Sequence, residues 1–308
     1  MKYALLFPGQ GSQAVGMLSE LPSDEVGVTF AEASEVLGWD LRKLVQEGPA
    51  EELNRTERTQ PALLAAGIAV WRIWTRLGAP PPAALAGHSL GEYTALVAAE
   101  SLAFGDALKL VELRGRLMQA AVPEGAGGMA AVIGLDDAGV EKLCAGYHDG
   151  VLEPVNYNAP GQVVVAGESA GLEWLAANAK SAGARMVMRL PVSVPSHCSL
   201  MKNAADELAR RLSKTAITPP KIPVHHNLDA KAREQPDAIR DALHQQLFRP
   251  VRWTATIQQL AQDGIGAFFE CGPGKVLTGL TKRIAPQTKF LALEDPAVQA
   301  QAQELALG

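Results

Sequence analysis

The stretch ALAGHSLGEYTALVAA, residues 84–99, holds a serine between two glycines and joins two kinds of secondary structure without a loop. The apolar run before His88 is typical of a buried strand, and the residues after Leu90 have the composition of a helix. Gly-x-Ser-x-Gly on such a strand-to-helix turn is the nucleophile elbow, whose sharp bend exposes the serine hydroxyl. The alternative is that Ser89 only caps the helix that follows. The pattern predicts an α/β fold with Ser89 as candidate nucleophile.

Strand-like and helical segments alternate along most of the chain, which again predicts an α/β protein. In the middle, the order becomes strand, helix, strand, strand, helix, strand, which is the order of a ferredoxin-like unit. We therefore expect a large α/β domain formed by residues 1–124 and 199–308, with a small ferredoxin-like domain inserted as residues 125–198. Pro61 is expected at the first position of a helix that ends at Leu77, a position that proline favours.

The composition is ordinary for a globular enzyme, with 47% hydrophobic and 20% charged residues among 308. The formal net charge of −5 argues against a nucleic-acid-binding protein, which usually carries a basic excess. Neither a membrane span of roughly 18 apolar residues nor a secretory signal is evident. Three scattered cysteines lack metal-ligand spacing and are expected to be buried thiols. We expect a cytoplasmic protein without a metal site.

An activated serine needs a neighbouring base, and the chain offers six histidines. They are His88, His148, His197, His225, His226 and His244. His197 is the best placed, because it lies where the chain leaves the small domain and re-enters the large one, and a cleft is expected there. The carboxylates that could complete a triad are Asp136, Asp137 and Glu168. Helix capping is the simpler explanation for all three, and a carbonyl group could orient the histidine instead.

Arg114 lies on the apolar face of a predicted helix. Leu110 and Val111 precede it, and Leu117 and Met118 follow it, at the spacings that share one helix face. The guanidinium group is therefore expected to point inward, where the lack of an anionic partner would be costly. That partner could be a carboxylate of the protein or a carboxylate of the substrate, held by two parallel hydrogen bonds.

The segment FPGQGSQ, residues 7–13, follows the first predicted strand. Its glycine spacing fits a dinucleotide-binding loop only weakly, because a clean βαβ unit with a ribose-binding acid is missing. A glycine-rich loop at the end of a neighbouring strand can instead supply one of two backbone N–H groups that stabilise an oxyanion. The N–H group of Leu90, directly after the serine, would be the other.

Seven segments together resemble the malonyl-CoA:acyl carrier protein transacylases and cover nearly the whole chain in order. They are FPGQGSQ (7–13), TQPA (59–62), GHSLGE (87–92), LRGRLMQ (113–119), VPSHC (194–198), QLFRPVRW (246–253) and GPGKVLTGL (272–280). The resemblance implies an α/β-hydrolase-like large domain with a parallel sheet as its core, together with the small inserted ferredoxin-like domain.

The resemblance also implies the catalytic roles. Ser89 would take the malonyl group from coenzyme A, and His197 would accept the serine proton and pass it to the leaving thiol. The backbone N–H groups of Gln10 and Leu90 would hold the oxyanion. Such a transfer through a serine ester requires a nucleophile, a base and N–H donors, and no metal or redox cofactor.

Three further residues acquire roles by the same resemblance. Arg114 would bind the free carboxylate of the malonyl group. The histidine would be steadied by a main-chain carbonyl rather than an acid, with Gln246 at the matching position, and Gln60 would lie near the pocket. The phosphopantetheine thiol of acyl carrier protein would then receive the malonyl group for fatty-acid synthesis.

Other functions remain open at this stage. A serine thioesterase or esterase shares the Gly-x-Ser-x-Gly pattern, and the same fold would suit the acyltransferase component of a malonate decarboxylase or polyketide system. A non-catalytic module that docks carrier protein is a further alternative. The coenzyme A thioester is expected as a substrate rather than a cofactor, the chain is expected to be a monomer, and neither nucleic acid nor a membrane is expected as a partner.

Overall fold

The computed structural model describes residues 1–192 and 194–307. The strands of this part are β1 (Tyr3–Phe7), β2 (Ala84–Gly87), β3 (Gly127–Ile133), β4 (Leu152–Ala159), β5 (Gln162–Glu168), β6 (Met186–Arg189), β7 (Val224–His225), β8 (Ala267–Glu270) and β9 (Lys289–Ala292). They form two separate sheets, one with the order β7-β2-β1-β8-β9 and the other with the order β4-β5-β3-β6.

Helices connect and cover these strands. They are α1 (Ser23–Leu37), α2 (Leu41–Glu47), α3 (Ala50–Leu53), α4 (Thr56–Arg76), α5 (Gly91–Ala98), α6 (Phe104–Ala120), α7 (Asp137–Ala145), α8 (Ser169–Asn178), α9 (Lys202–Leu212), α10 (Pro236–Gln246), α11 (Trp253–Gln262), α12 (Val276–Ile284) and α13 (Pro296–Leu307). A single 3-10 turn, Ser199–Met201, precedes α9.

The five-stranded sheet is parallel and apolar on both faces. Leu5 and Phe7 of β1 point into one hydrophobic cluster, which includes α4 and α6. The alternate residue Leu6 points into a second cluster, which includes α11 and α12. A parallel sheet covered by helices on both faces requires such unbroken apolar strands. Phe7 pairs with Gly87, so β1 and β2 end at the same edge, where open α/β sheets bind ligands.

The four-stranded sheet is antiparallel, and α7 and α8 pack on one of its faces. Its chain order, β3-α7-β4-β5-α8-β6, confirms the ferredoxin-like arrangement that the sequence predicts. The α/β class with a parallel core sheet is confirmed as well. The expected domain limits, 1–124 with 199–308 and 125–198, stay a prediction, and they include positions 193 and 308, which lie outside the described residues.

Main-chain hydrogen bonds join the small sheet to the large unit. Tyr157 on β4 donates its N–H to the carbonyl of Val251 at 3.0 Å, and Val251 donates its own N–H to the carbonyl of Val155 at 2.8 Å. The edge of β4 is therefore paired rather than open to solvent, which is how proteins protect sheet edges. This link holds the two sheets on either side of a cleft.

The helix that contains Pro61 begins earlier than predicted. Pro61 lies inside α4, which starts at Thr56, and not at its first position. Proline inside a helix removes one main-chain hydrogen bond, but the preceding turn is buried against α6 and carries Gln60 to its guanidinium partner there. Packing of this turn explains why the helix extends beyond the proline.

None of the helices in residues 1–192 and 194–307 is long and apolar enough to span a membrane. Across those same residues, His, Cys, Asp and Glu side chains form no group of three or more that could hold a metal ion. The cysteines are all buried free thiols, as predicted, at Cys144, Cys198 and Cys271.

Candidate active site

The serine elbow forms where β2 meets α5. Ser89 has a φ of 51°, in the left-handed region that non-glycine residues seldom adopt. A Cβ atom added at Gly87 would lie 1.9 Å from the backbone of Gly91. The turn is thus so tight that the first glycine admits no side chain, and the hydroxyl of Ser89 faces a cavity at the sheet edge.

His197 is the histidine that contacts this serine. Its Nε2 atom lies 2.8 Å from Ser89 Oγ, and its Nδ1 atom lies 2.7 Å from the carbonyl oxygen of Gln246. Since a carbonyl only accepts hydrogen bonds, Nδ1 carries the hydrogen and Nε2 is left to accept the serine proton. The carbonyl is available because the last carbonyls of a helix such as α10 have no partner within the helix.

The environment keeps His197 neutral. Burial, and next the positive charge of Arg114, lower the pKa of His197 from 6.5 to about 3. The hydrogen bond to the Gln246 carbonyl opposes this shift but does not overcome it. A neutral imidazole beside a serine hydroxyl can act as a general base near neutral pH.

The three candidate acids lie elsewhere. Asp136 caps α7 by accepting a hydrogen bond from the N–H of Gly139 at 2.8 Å, and Asp137 is exposed. Glu168 accepts a hydrogen bond from the N–H of Val151 at 3.3 Å. The position that an acid occupies in a Ser-His-acid triad is filled here by the main-chain carbonyl of Gln246.

Arg114 points inward from α6, as predicted, and is only 1% exposed. Its guanidinium group donates hydrogen bonds to Gln60 Oε1 at 2.8 Å, to Gln246 Oε1 at 3.0 Å and to Ser89 Oγ at 3.1 Å. Among the described residues these partners are all uncharged. Burial lowers the pKa of the guanidinium from its ordinary value. No carboxylate of the described residues is therefore hydrogen-bonded to the cation, and the buried Glu92 acts on it only through its charge.

The two glutamines that contact Arg114 also shape the pocket. Gln246 donates its side-chain N–H to the carbonyl of Ser89 at 2.9 Å while its oxygen accepts from the arginine. Gln60 lines the cavity beside Met118. Both side chains therefore hold the guanidinium in place without cancelling its charge.

The loop after β1 packs directly against the elbow. A Cβ atom added at Gly9 would lie 2.5 Å from the carbonyl oxygen of His88. Gln10 follows in the loop, and Leu90 follows the serine, and both line the cavity. In the part of the chain that the structure describes, the backbone N–H groups of Gln10 and Leu90 lack an intramolecular acceptor. This is the arrangement that an oxyanion site requires.

The cavity lies between the two sheets and has a volume of about 100 Å³. Its polar floor contains Ser89 and Arg114 of the parallel-sheet unit together with His197, which bonds to the carbonyl of Gln246. The facing wall is mostly apolar, with Met129, Leu190, Val192 and Val194 in it and the polar Asn156 beside them.

Sequence reasoning missed a buried network behind the elbow. Asn227 and Glu92 are both 0% exposed, and Asn227 contacts the elbow directly. The sequence does contain a signal for this network, because the helical spacing of α5 places Glu92 on the inner face of that helix. His88, which neighbours the serine in the chain, has its Nε2 atom 2.8 Å from Asn158 Oδ1.

Comparison with known proteins gives a consistent result. The acyl transferase domain family matches residues 4–293. The malonyl CoA-acyl carrier protein transacylase of Escherichia coli K12 is 54% identical over 307 residues, which cover 99% of each chain. This chain belongs to the malonyl CoA-acyl carrier protein transacylase family.

Solved structures of similar proteins agree with this family. An acyl carrier protein S-malonyltransferase from Vibrio cholerae is 55% identical, with a TM-score of 0.95 over 98% of this chain and 100% of that one. A malonyl-transacylase in complex with its type II PKS acyl-carrier protein is 51% identical, with a TM-score of 0.97 over 99% and 100% of the two chains. The chain is an acyltransferase, and the resemblance seen in the sequence is confirmed.

Proposed function

We propose that this transacylase family member moves a malonyl group from coenzyme A to the phosphopantetheine thiol of acyl carrier protein, through an ester on Ser89. The names of its relatives and the carrier-protein complex of one of them support the two substrates. The contact between Ser89 and His197 supports the covalent route. Placing the product in fatty-acid synthesis is supported by the resemblance to carrier-protein transacylases.

The observation that carries the proposal is the guanidinium of Arg114, to which no carboxylate of the described residues is hydrogen-bonded. It is buried and bonded only to uncharged groups, one of which is the nucleophile's own oxygen at 3.1 Å. A buried charge is stabilised most by a counterion that bonds to it directly, so the pocket favours an acyl group that brings its own carboxylate. A malonyl thioester carries such a carboxylate close to its reacting carbonyl, whereas an acetyl thioester does not.

In the first step, Ser89 Oγ attacks the thioester carbonyl while its proton passes to His197 Nε2. The N–H groups of Gln10 and Leu90 hold the oxyanion that forms. The carbon–sulfur bond then breaks, and the imidazolium returns the proton to the departing coenzyme A thiolate. A malonyl ester of Ser89 remains, with its carboxylate on Arg114.

The second step reverses the first with a different thiol. His197, neutral again, accepts the proton of the phosphopantetheine thiol, whose sulfur attacks the ester carbonyl in the same oxyanion site. The carbon–oxygen bond breaks and the serine regains its proton. Because Gln246 fixes the Nδ1–H tautomer throughout, one imidazole nitrogen serves both steps.

Intact mass measurement tests this route. Incubation with malonyl-CoA should add one malonyl group to the protein, and later addition of holo-acyl carrier protein should remove it as malonyl carrier protein. The Ser89→Ala variant should show no adduct, because the attacking oxygen is gone. Free malonate as the main product would identify a thioesterase, and an adduct in the variant would exclude Ser89 as the nucleophile.

A further inference from the structure

The side chain of Asn227 spans the serine elbow. Its Nδ2 atom donates a hydrogen bond to the carbonyl of Gly87 at 2.6 Å, and its Oδ1 atom accepts one from the N–H of Ser89 at 2.7 Å. The carbonyl belongs to the last residue of β2, and the N–H belongs to the candidate nucleophile. One amide therefore bridges the bend at the point where the backbone turns out of the sheet.

Asn227 is itself held from several directions. It is 0% exposed, its N–H donates to Glu92 Oε2 at 2.8 Å, and its carbonyl accepts from the N–H of Arg252 at 2.9 Å. With its main chain fixed and both ends of its side chain engaged, the amide has little freedom to move. A rigid support of this kind is what preorganised sites require around their reacting groups.

Glu92 connects this support to the helix that follows the serine. Its Oε1 atom lies 2.7 Å from His226 Nδ1, and both side chains are 0% exposed. One carboxylate on α5 thus holds two consecutive residues, 226 and 227, of the segment after β7. The helix, that segment and the elbow form a closed loop of contacts behind the nucleophile.

The backbone of Ser89 needs such a support. Its φ of 51° is a strained conformation that persists only where the surroundings impose it. The bond from Asn227 also occupies the N–H of Ser89, so that the N–H of Leu90 is the one left facing the oxyanion. Loss of the amide would free the peptide between residues 88 and 89 to rotate, and the serine oxygen would move with it.

We infer that Asn227 is a positioning residue, which sets the orientation of the Ser89 hydroxyl toward His197 and acts with Glu92 as its anchor. The inference rests on the proposed function only for the choice of substrate. Asn227 is bonded to the elbow and not to Arg114. Its loss should therefore slow acylation of the serine while leaving the binding of malonyl-CoA intact.

The test compares the acylation rate with the binding affinity. In Asn227→Ala, single-turnover acylation by malonyl-CoA should fall about 100-fold, the cost of a displacement near 1 Å between reacting groups. Inactivation by phenylmethanesulfonyl fluoride, which has no carboxylate for Arg114, should slow in parallel. The Kd for malonyl-CoA, measured without turnover in a Ser89→Ala background, should be the same with and without the second substitution.

Two further variants complete the design. Asn227→Asp keeps the shape and the acceptor for Ser89 but loses the donor to Gly87, and should also slow acylation at unchanged Kd. Thr281→Val removes a buried hydroxyl that donates to the Leu277 carbonyl within α12, and should leave acylation unchanged. The inference would be overturned if every folded Asn227 variant acylates at the parent rate. It would also be overturned if the Kd weakens as much as the rate falls in every folded variant, or if neither Asn227→Ala nor Asn227→Asp folds. If the parent protein fails to react with malonyl-CoA, the proposed function fails, and the sulfonyl fluoride rates still decide the role of Asn227.

Discussion

At the residue scale, Arg114 links burial to substrate choice. Its guanidinium is fixed by Gln60 and Gln246 before any substrate arrives, so little side-chain freedom is lost when a carboxylate binds. An arginine can hold that carboxylate by two parallel hydrogen bonds, which a single ammonium group cannot reproduce. We therefore expect this geometry to favour a dicarboxylic acyl chain.

The Arg114→Ala variant should lose malonyl transfer selectively. Removal of one partner of a buried charge pair costs about 3–5 kcal/mol, so kcat/KM for malonyl-CoA should fall by more than about 100-fold. Acetyl transfer should be spared or improved, because acetyl has no carboxylate to pair. Steady-state kinetics with the two thioesters measure this, with Arg114→Lys as the control that keeps the charge and loses the fork. Equal losses for both substrates would make the arginine structural.

The low pKa of His197 predicts an unusual pH profile. Burial and the charge of Arg114 lower that pKa from 6.5 to about 3, so the imidazole of the free enzyme stays a base well into the acidic range. The kcat/KM for acylation should stay flat between about pH 8 and pH 5, where an ordinary histidine would already be protonated. Rapid-quench measurement of acyl-enzyme across that range checks it. A tenfold loss per pH unit below 6.5 would contradict the assignment of the shift.

At the element scale, the end of β1 and the start of α5 form the site together. Their register places Phe7 beside Gly87, and the N–H of His88 donates to the carbonyl of Phe7 at 3.0 Å. These contacts therefore fix the position of the loop after β1 relative to Ser89. Gln10 reaches the cavity from that loop, so the proposed oxyanion site would depend on contact between the loop after β1 and the end of β2.

Gly9→Ala should separate these two strand ends. The added Cβ would meet the carbonyl oxygen of His88 at 2.5 Å, and neither group is a flexible side chain, so the loop must shift. Displacing one oxyanion donor should lower kcat about 10²–10³-fold, with malonyl-CoA binding largely kept. Gly279→Ala on α12, where nothing lies within 4 Å of the new Cβ, is the matched control. Unchanged kcat in Gly9→Ala would show that this loop supplies no essential donor.

Local patterns predicted the elements that bear the chemistry. The serine elbow follows from two glycines at a strand-to-helix turn, and the inward Arg114 follows from the apolar spacing of α6. The support by Asn227 could not be read in this way, because it depends on β7 lying next to β2 in the sheet. The early start of α4 escaped prediction for a similar reason, since packing against α6 overrides the preference of Pro61 for a first position.

At the scale of the whole molecule, the site is a shared surface of two units. The parallel-sheet unit contributes Ser89 and Arg114 and bonds to His197 through the carbonyl of Gln246. The antiparallel-sheet unit contributes an apolar wall that includes Met129 and Leu190. Such a division combines preorganised polar groups with exclusion of water, which strengthens electrostatic interactions at the reacting carbonyl. The paired edge of β4 keeps the wall in place, because it fixes the small sheet to Val251.

The buried titratable groups predict that the fold weakens in mild acid. Desolvation lowers the pKa values of His88, His197 and His225 below 6.5, while burial raises the pKa of Glu270 from 4.5 to about 7. As the pH falls from 6.5 toward 4.5, the unfolded chain protonates these histidines, whereas the folded chain keeps His197 neutral and disfavours protonation of His88 and His225, and Glu270 is already largely protonated in the fold. The histidines therefore make unfolding take up protons while Glu270 opposes them with one, so the free energy of unfolding should fall on acidification, and each histidine that stays neutral in the fold contributes at most about 1.4 kcal/mol per pH unit. Urea unfolding across this range measures how the free energy of unfolding changes with pH. The His197→Gln variant should show a weaker dependence, because it lacks one of the three histidines. A stability that rises on acidification would show that Glu270 outweighs the histidines.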